Sequence, residues 1–413
     1  MNRIILIGNG FDKAHNLPTR YDEFIHWYWM EWGKRLRASP ESVEVDRLCS
    51  FKLCNIHDDW SHALPNHRQT ATLVSPCDGY KIVEIVRKNR ELCDFSFRSP
   101  FFQRICEHLQ TKKWVDIEDV FYSFLKSSNN PKNINDDLEF LKGKLIEYLQ
   151  SLQETDINPI IRNQILAPIS QKDIAIGSMD KWKEMMKERL DYDSDQWLDL
   201  TESYYTKRGS GQYFVDSIED YKKTFSEDIL SDNFNDDLEK ICPAYRLPDK
   251  IMLLNFNYTN TADLYLPQMD KFSVNHIHGT ISNPKSVIFG YGDEHDDEYQ
   301  PLMKKNDNEY LRHIKSFRYL ESSNYRKMRE FIELGPYQVC IMGHSCGISD
   351  RTLLSTLFEH KNCVSIKPYY YRDKDGKDNY FDLICNIARN ISDPSLMRDR
   401  VVRKERCQPL GEE

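Results

Sequence analysis

Four short stretches carry residue types that chemistry uses. Gly8-Asn9-Gly10-Phe11-Asp12 follows the apolar run Ile4 to Ile7. Two glycines in a strand-to-helix turn let backbone N–H groups approach a phosphate, and a helix N-terminus adds partial positive charge at the same spot. The third glycine of the dinucleotide fingerprint would fall on Lys13, so a plain tight turn is the alternative. Asn255-Phe-Asn257-Tyr258-Thr259 offers carboxamides at a second turn, where a turn-forming asparagine is the alternative. His276-Ile-His278-Gly279 puts two imidazoles on one face if the run is a strand, against a satisfied core pair. Gly343-His-Ser345-Cys-Gly347 fits the G-x-S-x-G elbow of a serine hydrolase. That chemistry needs a later histidine, and His360 on the very next helix is carried away from the elbow.

Other clusters are weaker. Cys49, Cys54, His57, His62 and His67 lack paired zinc-ligand spacing, so no metal is expected there. Asp293-Glu-His-Asp-Asp-Glu298 reads as a solvated loop rather than a metal site.

The elements that must position these residues follow from periodicity. Ile251–Leu254, Ser273–His276, Ser286–Phe289, Gln338–Met342 and Cys363–Ile366 are short apolar or alternating runs that read as strands. Strands separated by helices predict a parallel α/β sheet, and α/β sheets bind ligands at the C-terminal strand edge. Ile4–Ile7 is far from the others in sequence and must join them. Between them, the leucine spacing from Leu138 to Leu152, a capping box at Asp136 and Glu139, and amphipathic stretches over Met179–Tyr205 and Ile218–Ile241 predict helices. The expected organisation is a Rossmann-like nucleotide-binding domain of residues 1–26 plus 248–397. A mainly helical insertion domain of 27–247 caps its cleft, and 398–413 form a polar tail.

The chain has 413 residues, 40% hydrophobic and 29% charged, with a formal net charge of −9, which argues against general nucleic-acid coating. No apolar run approaches a membrane span of roughly 20 residues. Eleven scattered cysteines without C-x-x-C suggest reduced thiols in a cytoplasm.

Gly8-Asn-Gly10-Phe-Asp12-Lys-Ala-His15-Asn16-Leu-Pro18 resembles the opening of the AbiH abortive-infection family, and it is similar to the Gly-Ala-Gly-x-Ser-x-x-x-Gly-Ile-Pro opening of sirtuins. Asn9, Asp12 and Asn16 depart from the sirtuin pattern. Asn255 to Thr259 resembles the Thr-Thr-Asn-Tyr-Asp turn of sirtuin-like NAD hydrolases, with Thr259 in place of the Asp. His278-Gly279 resembles their His-Gly, and Gly343-His-Ser345-x-Gly347-x-x-Asp350 resembles a later nucleotide-binding turn. Trp114-Val-Asp116-Ile-Glu118 resembles a Trp-x-Asp-x-Glu motif of the AbiH family, by which Asp116 and Glu118 would face a cleft; read from the residues alone, the acids complement a helix N-terminus.

The resemblance implies a sirtuin-like parallel sheet and an antiphage effector that binds NAD or a related nucleotide and hydrolyses the nicotinamide–ribose bond. Asn257 would hold ribose hydroxyls and a water, His278 would accept a proton, and Asp12 would stabilise oxocarbenium-like charge. Gly8, Asn9, Gly10, Phe11, Pro18, Asn255, Tyr258, Gly279, Gly343, Ser345 and Asp350 would line the nucleotide. The alternatives are a non-catalytic nucleotide sensor in phage defence and a hydrolase using Ser345. A nucleotide ligand is expected, a phage-derived trigger and self-association stay open, and no membrane partner is expected.

Overall fold

The computed structural model describes residues 1–38, 43–53, 93–112, 115–192, 247–265 and 270–412. The apolar run at the N-terminus forms β1 (Asn2–Ile7), buried along its whole length. It lies at the centre of a five-stranded sheet with β5 (Ile251–Asn255), β6 (Phe272–His276), β7 (Tyr337–Met342) and β8 (Cys363–Tyr369), in the order β6-β5-β1-β7-β8. Every pairing is parallel. Ile4 sits beside Met252 on one side and Val339 on the other. Numbered along the chain, the strands of this sheet run third, second, first, fourth, fifth, so the winding reverses between β1 and β7.

Period-two alternation splits the sheet's side chains between two cores. Ile4, Leu6, Met252, Leu254, Val339 and Ile341 face α-helices that include Asn324–Glu333, Arg351–Glu359 and Tyr380–Arg389. Ile5, Ile7, Leu253, Cys340 and Met342 face a layer that contains Ile161 and Ile165. Arg3 is buried in this layer and donates to the carbonyls of Ile165 and Ala167 at 2.8 and 2.7 Å and to Gln338 at 3.1 Å, which satisfies its charge locally.

A third core is helical and rich in aromatics. It is built by α1's successor α2 (Tyr21–Ala38), α3 (Pro100–Lys112), α4 (Ile117–Ser127) and α5 (Pro131–Gln150), with α1 (Asn9–Ala14) ending at His15 just before Pro18. Tyr258, Phe289, Tyr291 and Ile314 from the chain around β6 also pack into it.

Several expectations are corrected. Residues 27–247 are not only helical: β2 (Val43–Val45), β3 (Cys49–Leu53) and β4 (Cys93–Phe97) form an antiparallel sheet, in keeping with the alternation of Phe95 and Phe97 with Asp94 and Ser96. The helix α6 (Pro159–Leu166) packs on the parallel sheet rather than with the other helices of that stretch. Ser286–Phe289 is irregular, although Val287, Ile288 and Phe289 are buried. Helix α5 starts at Pro131 with Asn130 as its N-cap, ahead of the expected box at Asp136. The last residues do not hang free. Val402 is buried and donates to Ile366 O at 3.0 Å, and Leu410 donates to Tyr370 O at 2.9 Å, because Val401, Val402 and Leu410 supply apolar surface among the charges. Helix α7 (Met179–Tyr192) begins the stretch predicted to Tyr205; its remainder, and Ile218–Ile241, lie outside the described residues. No helix among the described residues is long and apolar enough to cross a membrane.

Candidate active site

The turns that leave β1, β5, β6 and β7 meet at one edge of the sheet. After β1, Gly8 and Gly10 pack directly on Gly343 and His344. A Cβ on Gly8 would lie 2.5 Å from His344 Cα, and one on Gly10 would lie 2.8 Å from Gly343 Cα. Gly343 has φ 79°, which a glycine adopts without strain. The amides here are used internally: Gly10 N donates to Gly343 O at 2.8 Å, Phe11 N to Gly8 O at 2.8 Å and Gly8 N to Met342 O at 3.4 Å. A Gly10→Val variant would therefore strike backbone before it tested a ligand. Asn9, exposed, donates to Thr19 O at 2.6 Å, and Pro18 O accepts from Tyr148 OH. Asn16 takes the left-handed backbone expected of it, φ 61°.

After β5, Asn255 is buried and forms an Asx turn: its Oδ1 accepts from Asn257 N at 3.0 Å and its Nδ2 donates to Thr259 O at 3.0 Å. Asn257 Nδ2 reaches Gly8 O at 2.9 Å, tying this turn to the first. Thr259 Oγ1 donates to Asp12 Oδ2 at 2.8 Å. Asp12 is buried, and its Oδ1 has no partner among the described residues. Burial pushes its carboxyl up to about 6, against hydrogen bonds led by Thr259. Tyr258 donates to Ile288 O at 3.1 Å.

After β6 the two histidines part. The strand ends at His276, whose Nε2 meets Asp263 at 3.1 Å, while His278 meets Tyr319 OH at 3.1 Å and Asp350 Oδ1 at 3.3 Å through Nε2. The expectation of one shared face fails because strand geometry stops before Ile277. Gly279, φ 78°, fits where a Cβ would lie 2.1 Å from Ser286 O.

After β7, Asp350 is the hub. Its Oδ1 accepts from Lys315 Nζ at 2.8 Å, and its Oδ2 faces His344 Nε2 at 3.6 Å. Lys315 begins α8 (Lys315–Arg318), is fully buried, and donates also to Glu118 Oε2 at 2.8 Å. Glu118 Oε1 accepts from Gly290 N at 3.1 Å. Asp116 caps α4, accepting from Glu118 N at 3.0 Å and Asp119 N at 3.2 Å. The helix-cap reading of the Asp-x-Glu pair thus holds for Asp116. Glu118 instead brings a carboxylate from the helical core to the sheet edge. An unpaired ammonium so deep would be prohibitively costly. Burial would lower Lys315, but Asp350 and Glu118 hold it charged. Burial raises Asp350, yet Lys315 and His278 bring it well below the ordinary carboxylate range. Burial lifts Glu118 to about 7, against Lys315. Burial also lowers His278, with Lys315 adding to the effect. Two acids thus share one buried cation, and Glu118 is the one whose carboxyl burial lifts to about 7.

Sequence reasoning placed His278 and Asp350 at this edge, missed Lys315 and Tyr319, and passed over His344 as a spacer of the Gly343–Gly347 turn. Asp350, expected on a nucleotide, spends its oxygens on Lys315, His278 and His344. Ser345 is exposed, while His360 stacks on Tyr337 at the start of β7 and meets Glu333 at 3.1 Å, at the other end of the strand. No Ser345–His360 pair forms. Cys49 is buried in the aromatic core. Trp114, Cys54, His57, His62 and His67 lie outside the described residues. Asp293, expected in a solvated loop, is buried and pairs with Arg351 at 3.4 Å.

The family model described as bacteriophage abortive infection AbiH matches residues 4–371. That span includes each of the four turns and Glu118. No curated protein and no solved structure shows significant similarity to the chain.

Proposed function

This chain belongs to the bacteriophage abortive-infection AbiH family, and from that premise we propose that it binds NAD or a related nucleotide at the sheet edge and hydrolyses the nicotinamide–ribose bond. The strand order matches the Rossmann-like winding, in which ligands bind where the winding reverses. Here that point is between β1 and β7, where Gly8 and Gly10 abut Gly343. The observation that carries the reading is the pair of hydrogen bonds that ties the β1 turn to the β5 turn some 250 residues away, Asn257 to Gly8 O and Thr259 to Asp12, with His278 held against the β7 turn at Asp350. In this reading the aromatic helical core of α2 to α5 acts as a cap, and Glu118 closes it onto the sheet.

Asn257 donates one amide hydrogen to Gly8 O and keeps its Oδ1 for a ribose hydroxyl or water. His278, neutral through burial, accepts the proton from that hydroxyl or water. Asp12, ionised above about pH 6, sets negative charge under the ribose as C1′ becomes cationic.

A second reading is a nucleotide sensor that does no chemistry. It is favoured by the internal use of the Gly8, Gly10 and Phe11 amides and by the burial of His278, both of which require the edge to open first.

Nicotinamide release from NAD by the full chain separates the two. Asn257→Ala and His278→Ala are expected to lower the rate by ~10²–10⁴-fold, while Ser345→Ala leaves it intact. Calorimetric NAD binding without nicotinamide release selects the sensor. Absence of both binding and release overturns the nucleotide reading.

A further inference from the structure

The proton arrangement on His278 follows from its neighbours. Asp350 accepts from Lys315 at 2.8 Å and sits 3.3 Å from His278 Nε2 and 3.6 Å from His344 Nε2. Cys346 N donates to His344 Nδ1 at 3.0 Å, so neutral His344 must carry its proton on Nε2, toward Asp350. Asp350 therefore accepts from Lys315 on Oδ1, while its Oδ2 faces the Nε2–H of His344 at 3.6 Å, beyond hydrogen-bond distance. An ionised carboxylate can only accept, so a lone pair on His278 Nε2 facing it at 3.3 Å would be repelled. Tyr319 OH, 3.1 Å from the same nitrogen, can accept or donate and so does not choose. Phe256 packs edge-on to the His278 ring at 5.2 Å and restrains its plane. Among the described residues nothing hydrogen-bonds His278 Nδ1.

We propose that Asp350 is a positioning residue, fixing His278 as the Nε2–H tautomer with Nδ1 as the proton acceptor, and that Lys315, clamped by Glu118, keeps Asp350 ionised for this task. The inference rests on the reading of His278 as the base of the site. It adds that the base nitrogen is Nδ1, and that the grip on it extends from β7 through a lysine to a helix of the other core. No proton leaves the cluster in this role: Asp350 accepts a hydrogen bond, His278 takes the substrate's proton on Nδ1, and the imidazolium is stabilised by the carboxylate beside it.

The test uses the full chain labelled with ¹⁵N-histidine, with long-range ¹H–¹⁵N spectra and His278 assigned from its loss in His278→Gln. Wild type is expected as the Nε2–H tautomer, Tyr319→Phe as the same, and Asp350→Asn as a mixture or the Nδ1–H form. Asp350→Asn should also slow nicotinamide release by ~10²-fold or more through kcat, with KM little changed. A wild-type Nδ1–H tautomer overturns the proposal, as does a switch caused by Tyr319→Phe. Those two spectra decide it even if Asp350→Asn does not fold. The expected tautomers without any NAD turnover uphold the positioning role and remove only the NAD reading.

Discussion

Asp12 and Asp350 are two buried carboxylates at the same sheet edge, 1% and 7% exposed, and they hold protons in opposite ways. Asp12 has only hydroxyl and amide neighbours, one oxygen is unpartnered, and its carboxyl rises to about 6. Asp350 has an ammonium at 2.8 Å and stays ionised far into acid. Burial alone is therefore not what tunes this edge. A single lysine, delivered by a loop between β6 and β7, makes one acid a permanent anion and leaves the other an acid that titrates. The signs differ accordingly. The folded state holds the Asp12 proton more tightly than the unfolded chain, so its contribution to stability is full below about pH 4 and lost as pH rises through about 6. Asp350 holds its proton less tightly, so its contribution is present above the ordinary carboxylate range and lost in acid.

The largest expected effect comes from removing the lysine. Lys315→Met leaves Glu118 and Asp350 buried without a cation and should cost about 3–5 kcal/mol in urea unfolding at pH 7, with part recovered at pH 5 as the acids take up protons. A loss below ~1 kcal/mol would break the comparison. Next, Asp12→Asn removes a titration worth about 3 kcal/mol and should flatten the decline in stability between pH 4 and 7, leaving the acid limb that belongs to Asp350. An unchanged pH profile would show that Asp12 is not the buried acid described here. The smallest effect sharpens the comparison. Thr259→Val removes the 2.8 Å hydrogen bond and should cost about 1 kcal/mol, moving the Asp12 titration further upward by NMR. A downward move would mean that hydroxyl does not stabilise the anion.

The strands and their edge turns were legible because period-two alternation and glycine punctuation are local signals, and β1 needed partners it could find only near the C-terminus. Asp12, Asn257 and His278 stand in such turns. Lys315 was not legible, because a lysine at the start of a short helix looks like any solvated lysine until two carboxylates, one of them 197 residues away, surround it. The pair of histidines misled because alternation was extended two residues past the end of β6. The small antiparallel sheet lies inside a stretch read as mainly helical with loops, although Phe95 and Phe97 alternate with polar residues, since its partner strand begins over 40 positions earlier.

The central place of β1 also fixes when the sheet edge can assemble. Arg3 is registered against Gln338, and between those residues the ribosome spends roughly 20–70 s at ordinary elongation speeds. Until then β1 has its β5 partner at Ile251 but lacks β7 on its other side, and a high-separation contact of this kind is slow to form even afterwards. Gly8 and Gly10 cannot seat on Gly343 on a partial chain. A truncated translation product therefore carries the opening motif without the edge that gives it meaning, and maturation is gated by completion of the C-terminal third.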